Sequence, residues 1–149
     1  MDAMTALFHV KKFAQDRLTV TAPNQGLHEV TGDILAWLEG QTVTVGLLTL
    51  YLRHTSASLL IQENHDPDVL RDLEDFFAAQ APEDTALYRH DAEGADDMPA
   101  HIKGALTQTH LAVPICAGEL LLGRYQGIFL FEHRRTPRAR EVVLHFEGQ

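Results

Sequence analysis

Nine histidines in a chain of 149 residues are more than packing alone requires, so each is weighed by its neighbours. His9, His28, His110 and His145 stand among no suggestive partners and read as structural residues. His54 opens the run His54-Thr55-Ser56-Ala57-Ser58, and in an extended backbone His54, Ser56 and Ser58 would project from one face at period two. Three polar side chains buried there without partners would cost on the order of 1–3 kcal/mol each. They must therefore bond one another or line a cleft. His101 falls in the first turn of a helix expected to start at Pro99, where the exposed amide dipoles favour the neutral imidazole that a metal requires. With His54 and His90 it makes three histidines on separate elements, the ligand count of a catalytic zinc centre that keeps one position open.

Carboxylates and cations frame these histidines. By strand alternation, Arg124, Gln126, Ile128, Leu130 and Glu132 share one face, which sets an amide and a carboxylate among aliphatics. A buried Glu132 would need a cation, a metal-bound water or a histidine beside it, and in that setting it could serve as a general base. The other reading is a strand-end glutamate that reaches solvent. Arg124, Arg134, Arg135, Arg138 and Arg140 crowd one short stretch and supply bidentate donors for phosphate or carboxylate. Alternatively they pair with the acidic segment of a neighbouring subunit.

Local patterns indicate the elements that must position these groups. Alternation over Ala6–Phe13 and Arg17–Thr21, with a short polar turn between them, predicts a hairpin, and Pro23-Asn24-Gln25-Gly26 a turn after it. Leu27, Val30, Ile34, Leu35 and Leu38 recur at helical spacing, predicting a helix over Leu27–Glu39 with Gly40 as a left-handed stop. Val43–Arg53 and Thr55–Gln62 read as buried strands interrupted near His54. Asp66 and Pro67 are a cap and a first helical residue for a helix to about Ala79, whose apolar stripe is Val69, Leu70, Leu73, Phe76 and Phe77. Pro82–Asp97 reads as a long loop of the kind that often carries function, and a short helix follows to about Gln108. Three strands close the chain: Leu111–Ile115, Leu120–Gly123 continuing through Gly127–His133, and Glu141–Phe146. The expectation is one α+β domain spanning residues 1–149.

Composition excludes several classes. The net charge is −9, and Glu63–Asp97 holds twelve of the twenty-one acidic residues against two basic ones, Arg71 and Arg89. Such a stretch repels phosphate backbones, so nucleic acid is not expected as a partner; most of its carboxylates read as a solvated helix face and loop. A lone cysteine, Cys116, forms no intramolecular disulfide or CxxC motif and suits a reducing compartment. Met1–Val20 contains no apolar block long enough for a signal peptide or a membrane span, and the expected location is the cytoplasm, with no membrane partner.

Four ordered motifs carry a resemblance across nearly the whole chain. They are His54-Thr55-Ser56-Ala57-Ser58-Leu59, Glu63-Asn64-His65-Asp66-Pro67-Asp68-Val69, Gly94-Ala95-Asp96-Asp97-Met98-Pro99-Ala100-His101-Ile102-Lys103, and Gly127-Ile128-Phe129-Leu130-Phe131-Glu132-His133-Arg134. Together with Gly26-Leu27-His28-Glu29-Val30-Thr31, this series resembles the YjbQ family, also called secondary thiamine-phosphate synthase enzymes. The resemblance implies an α+β fold with a two-sheet β-sandwich and two to three helices, assembled as a homotrimer about a three-fold axis. It also implies a metal or anion site and an ability to join a pyrimidine diphosphate to a thiazole phosphate with loss of pyrophosphate.

Carried over by motif, the resemblance nominates His54, His90 and His101 as metal ligands and Glu63, Gln126 and Glu132 as catalytic groups. Ser56, Ser58, Lys103, Arg124, Arg138 and Arg140 are the candidates for holding a small phosphorylated or anionic ligand. One departure stands out: Gly123-Arg124-Tyr125-Gln126 replaces the family's usual Gly-Thr-Trp-Gln, keeping an aromatic ring but adding a charge. Pyrophosphate departure calls for Mg²⁺ with Arg or Lys, whereas a three-histidine zinc centre suits hydrolysis. The residues leave both open, along with a non-catalytic trimer that binds a metal or an anion.

Overall fold

The computed structural model describes residues 12–149. Its elements are β1 (Lys12–Thr21), β2 (Gly26–Glu29), α1 (Thr31–Glu39), β3 (Gly46–Leu52), β4 (Ala57–Glu63), α2 (Pro67–Gln80), a 3₁₀ turn at Thr85–Leu87, α3 (Asp97–Leu106), β5 (His110–Cys116), β6 (Glu119–Leu120), β7 (Gln126–Glu132) and β8 (Ala139–Gly148). The strands form two antiparallel sheets, ordered β1-β8-β3-β5-β6 and β2-β7-β4. This is the α+β, two-sheet architecture expected, with three helices. No helix among the described residues is long and apolar enough to cross a membrane.

Strand alternation explains how the layers close. Val142, Leu144 and Phe146 of β8 and Leu48, Leu50 and Leu52 of β3 point inward and meet Ile128 and Leu130 of β7, Ala57 and Leu59 of β4, and Ile34 and Leu38 of α1. All are at most 2–3 % exposed, and complete burial of such side chains contributes about 1.5–3 kcal/mol each. The alternate residues of β7, Phe129 and Phe131, face the other way, onto Leu70, Leu73 and Phe77 of α2. Phe77 meets Phe131 edge to face at 5.3 Å between ring centroids. Covered on both faces, Ile128-Phe129-Leu130-Phe131 can be an unbroken apolar run.

Several local expectations are corrected. Lys12–Thr21 is one continuous strand paired along its whole length with β8, because ten ladder residues outweigh the polar turn signal; the earlier hairpin arm lies outside the described residues apart from its end. Leu27–Glu29 is not helical but pairs with β7, so α1 begins at Thr31. Leu27 then packs on the Phe129–Phe131 cluster, a tertiary gain that overrides helical spacing. Gly40 has φ −67°, right-handed rather than left-handed. The segment expected to run from Leu120 through His133 is two strands in different sheets. At α2 the sequence signals hold: the Asp66 side chain accepts from the Asp68 amide and Pro67 opens the helix.

Candidate functional site

Two neighbouring loops and one helix bring the chemical residues together. Between β3 and β4 the chain breaks at residues 53–56, so His54, Ser56 and Ser58 do not form a strip on one strand; β4 begins only at Ala57. His54 turns back to accept a hydrogen bond at Nε2 from the Glu141 amide, at 2.9 Å. That bond fixes the neutral ring with its proton on Nδ1. Burial first, and then the Arg140 guanidinium, push its pKa below the ordinary value. Ser56 supplies its carbonyl to Arg140 and to the His133 amide. Ser58 is fully buried, with Oγ 2.8 Å from His133 Nε2 and in reach of Thr107 Oγ1.

Helix α3 starts at Asp97, two residues before Pro99, which moves His101 out of the first turn and four residues beyond Asp97. That spacing sets both on one helix face. Asp97 Oδ2 lies 2.6 Å from His90 Nε2 and 3.5 Å from His101 Nε2. The three ligand atoms are all within 4.8 Å of one another, and the two imidazole rings are 5.5 Å apart. Of the three histidines nominated by sequence, the structure therefore gathers His90 and His101 with a carboxylate, and His54 is not in this cluster. Asp97 is the residue that sequence reasoning missed, although its i, i+4 relation to His101 was legible.

The cluster is held from behind by Arg134. Its Nη1 donates to Asp97 Oδ1 at 2.5 Å, its Nε to Asp96 Oδ2 at 3.1 Å and its Nη2 to the Glu93 carbonyl at 2.9 Å. Asp97 is only 3 % exposed. Burial alone would raise its carboxyl, but the His90 bond and the Arg134 charge outweigh that and hold it below the usual range. The same Asp97 bond raises the His90 imidazole above its ordinary value. Arg134 and Arg135 thus pair with the acidic segment of their own chain, Arg135 through Glu83 and Asp96.

A cleft of about 300 Å³ runs along this helix, lined by His54, Thr55, Ala57, His101, Gly104 and Thr109. It shares His54, Thr55 and Thr109 with a larger, polar cleft of about 660 Å³, where Arg53, Ser56, Arg138 and Arg140 also line the wall. Gly104 permits the close approach of α3: a β-carbon there would sit 3.0 Å from the Thr55 carbonyl. The arrangement sets two imidazoles and a carboxylate at one end and guanidinium groups at the other, with the neutral His54 imidazole between.

Glu132 is buried with a cation beside it, one of the arrangements its sequence allowed, and does not reach solvent. It is completely buried, and its carboxylate accepts from Arg140 Nη2 at 2.5 Å, Arg140 Nε at 2.7 Å and the Arg134 amide at 3.0 Å. A carboxylate so committed is a structural acceptor and not a free base. Beside it His133 is buried and neutral, its pKa lowered to about 3 by desolvation and by the Lys103 and Arg140 charges.

Other nominated residues lie elsewhere. Glu63 and Gln126 are cross-strand partners at the opposite end of β4 and β7 from the Ala57–Glu132 pair, about 20 Å away at the rise of a strand. Gln126 Oε1 accepts from the Gly123 amide, and Glu63 Oε2 from the Asp66 amide; both organise turns. Arg124 precedes β7 rather than sharing its face, and lies over the Tyr125 ring at 5.4 Å. Lys103 is buried on the other side of α3, against a separate pocket.

The family described as UPF0047 protein YjbQ-like matches residues 16–149. A UPF0047 protein of Synechocystis sp. is 51 % identical over 135 residues, covering 91 % of this chain and 92 % of that protein. The UPF0047 protein YjbQ of Escherichia coli O157:H7 is 45 % identical over 136 residues, with 91 % and 98 % covered. Among solved structures, a conserved hypothetical protein from Thermus thermophilus is similar with a TM-score of 0.75 and 40 % identity, covering 86 % of this chain and 97 % of that one. A YbjQ-like protein of unknown function from Sulfolobus solfataricus P2 shares the fold, with a TM-score of 0.83 at 20 % identity over 95 % of this chain and 100 % of that one.

Proposed function

The chain belongs to the YjbQ-like UPF0047 family, and within it we propose a metal-dependent enzyme that acts on a small phosphorylated molecule. The observation that carries this reading is the His90–Asp97–His101 cluster opening, through His101 and His54, onto a cleft lined by Arg53, Arg138 and Arg140. Two imidazoles and one carboxylate suit zinc or another transition ion and are a poor match to Mg²⁺, which takes oxygen ligands. When bound, such an ion supplies Lewis acidity toward a phosphoryl oxygen or a bound water.

The chain's own groups have separable tasks. Arg134 holds Asp97 Oδ1, leaving Oδ2 toward the two imidazoles. His90, Asp97 and His101 would hold such an ion, and the His90–Asp97 hydrogen bond of 2.6 Å would give up its shared proton as the ion binds. Arg138 would take phosphate oxygens, joined by Arg53 on release from its Glu141 ion pair, and the His54 Nδ1 proton would pass to a departing oxygen. In this frame the reaction is weak thiamine-phosphate synthesis, joining a pyrimidine diphosphate to a thiazole phosphate with release of pyrophosphate, or hydrolysis of a related phosphate ester.

A second reading is favoured by one observation. Glu132, the strongest candidate base in the sequence, is consumed by Arg140, which suits a non-catalytic protein that binds a metal or anion. In either reading the protein works as a homotrimer, a proposal supported by Phe13, Leu47 and Tyr51, which are 65 %, 42 % and 50 % exposed on strands of the five-stranded sheet. Sedimentation at several concentrations measures that assembly directly.

Elemental analysis of the purified protein and of a His101→Ala variant tests the central claim. About one transition ion per chain, lost in the variant along with turnover of phosphate esters, is the expected result. Equal metal content in both proteins would refute the ligand assignment, and saturable pyrophosphate binding without turnover would select the binding protein.

A further inference from the structure

Helix α3 serves two pockets. It turns His101 and Gly104 toward the cleft described above and Lys103 toward a separate pocket of about 190 Å³ that shares no lining residue with it. This second pocket is walled by Gln25, Gly26, Glu74, Asp75 and Phe131. Lys103 is 5 % exposed; its ammonium makes no hydrogen bond and no ion pair within 4.0 Å among the described residues and is left to the space of this pocket, where a polar ligand could supply the missing partner. Glu74 faces the same space from α2. Its Oε1 accepts from the Leu27 amide at 2.7 Å, while Oε2 makes no hydrogen bond among the described residues.

Gly26 makes room for this contact. Its φ is +125°, and a β-carbon there would fall 2.5 Å from Glu74 Oε1, so glycine is what lets the carboxylate lie against the backbone of β2. A cation and a carboxylate thus line one small pocket without forming an ion pair within 4.0 Å.

We propose that this pocket is a binding site for a small zwitterion of the amino-acid class, its carboxylate taken by Lys103 and its ammonium by Glu74 Oε2 and Asp75. A simple anion would satisfy Lys103 but meet two carboxylates, and a simple cation would meet the reverse. Only a bipolar ligand matches both walls. The volume is that of about six waters, at roughly 30 Å³ each, which is the scale of a small amino acid, and Phe131 provides an apolar wall for a short side chain. The proposal does not depend on the phosphate chemistry assigned to the other cleft.

The chain has only three lysines, Lys11, Lys12 and Lys103, so the site can be watched directly. With lysine labelled with ¹³C at Cε, the full-length protein is titrated with glycine, L-alanine, L-serine and β-alanine, and separately with acetate and methylammonium. The expected result is a saturable shift of the Lys103 resonance alone with at least one amino acid, at least about tenfold tighter than with acetate or methylammonium, as loss of one charged contact implies. Calorimetry with the same amino acid should show binding abolished in Lys103→Met and weakened in Glu74→Gln, which keeps the Leu27 acceptor. No saturable shift with any of the four amino acids, or acetate binding as tightly as they do, would overturn the proposal, as would unchanged binding by Lys103→Met.

Discussion

Glu132 and Arg140 form an ion pair sealed from solvent, the carboxylate fully buried and the arginine 3 % exposed, with two of the guanidinium nitrogens on the two carboxylate oxygens. Arg140 also donates to the Ser56 carbonyl, so the pair ties the end of β7 to the start of β8 and to the loop that presents His54. Its first consequence is for stability. Glu132→Gln leaves a buried guanidinium without its counter-charge, and breaking such a pair from one side costs about 3–5 kcal/mol. Urea unfolding should show that loss; a change below about 1 kcal/mol, the scale of an exposed pair, would mean that the pair is solvated.

The acid limb of stability should report the buried histidines. His133 binds a proton near its ordinary value of 6.5 when unfolded but only at about pH 3 when folded, so the unfolded state takes up the proton first. Its contribution is therefore whole above about pH 6.5 and is lost as pH falls toward 3, at up to about 1.4 kcal/mol per pH unit. His54, also lowered, adds in the same direction. The lowered carboxyls Asp96, Asp97 and Glu141 lose their contributions only as pH falls through roughly 4 and below. Between pH 6 and 5, then, the slope of unfolding free energy belongs to histidine, and His133→Gln should flatten it. An unchanged slope in that variant would reject the assignment.

Arg53 and Arg138 line the larger cleft and are exposed, so neither is required for packing. Arg138→Ala should fold as the parent does and weaken pyrophosphate binding by about 1.5–3 kcal/mol, or roughly 10- to 150-fold, the worth of a charged hydrogen bond. Calorimetry across a salt series measures it. Binding that is indifferent to Arg138 and to Arg53 would remove the anion end of the cleft.

Asp97→Asn should impair both the cluster and its support. The amide retains a carbonyl acceptor for Arg134 but removes the charge that Arg134, His90 and His101 share. Zinc affinity measured by competition with a chromophoric chelator should fall by at least about tenfold, on the scale of altered metal ligation. Parent-like zinc affinity in that variant would exclude Asp97 as a ligand.

Gly104→Val probes the geometry rather than the chemistry. A β-carbon already meets the Thr55 carbonyl at 3.0 Å, and a branched side chain would force α3 away from the loop bearing His54. Stability should drop by about 1–3 kcal/mol, the usual cost of overpacking, and anion binding in the cleft should weaken with it. Tight anion binding preserved in a Gly104→Val protein would separate the two clefts.

Features with short-range causes were legible from the residues alone. Asp66 and Pro67 set the start of α2 because a cap and a fixed φ act within one turn. The break at His54 and the apolar run of β7 could be read because residue type and period report burial directly. The ordered motifs pointed to the family, and they nominated His90 and His101 as candidate ligands. Which partners meet was settled only by packing. Leu27–Glu29 entered a sheet against helical spacing, because pairing with β7 and packing on Phe131 outweigh a weak local preference. Packing also gave Glu132 to Arg140, joined Asp97 to His90 across the loop, and sent Lys103 to a pocket of its own. Those outcomes depend on how the loops turn and how the elements pack, and a periodic pattern carries no information about either until the sheets and helices have come together.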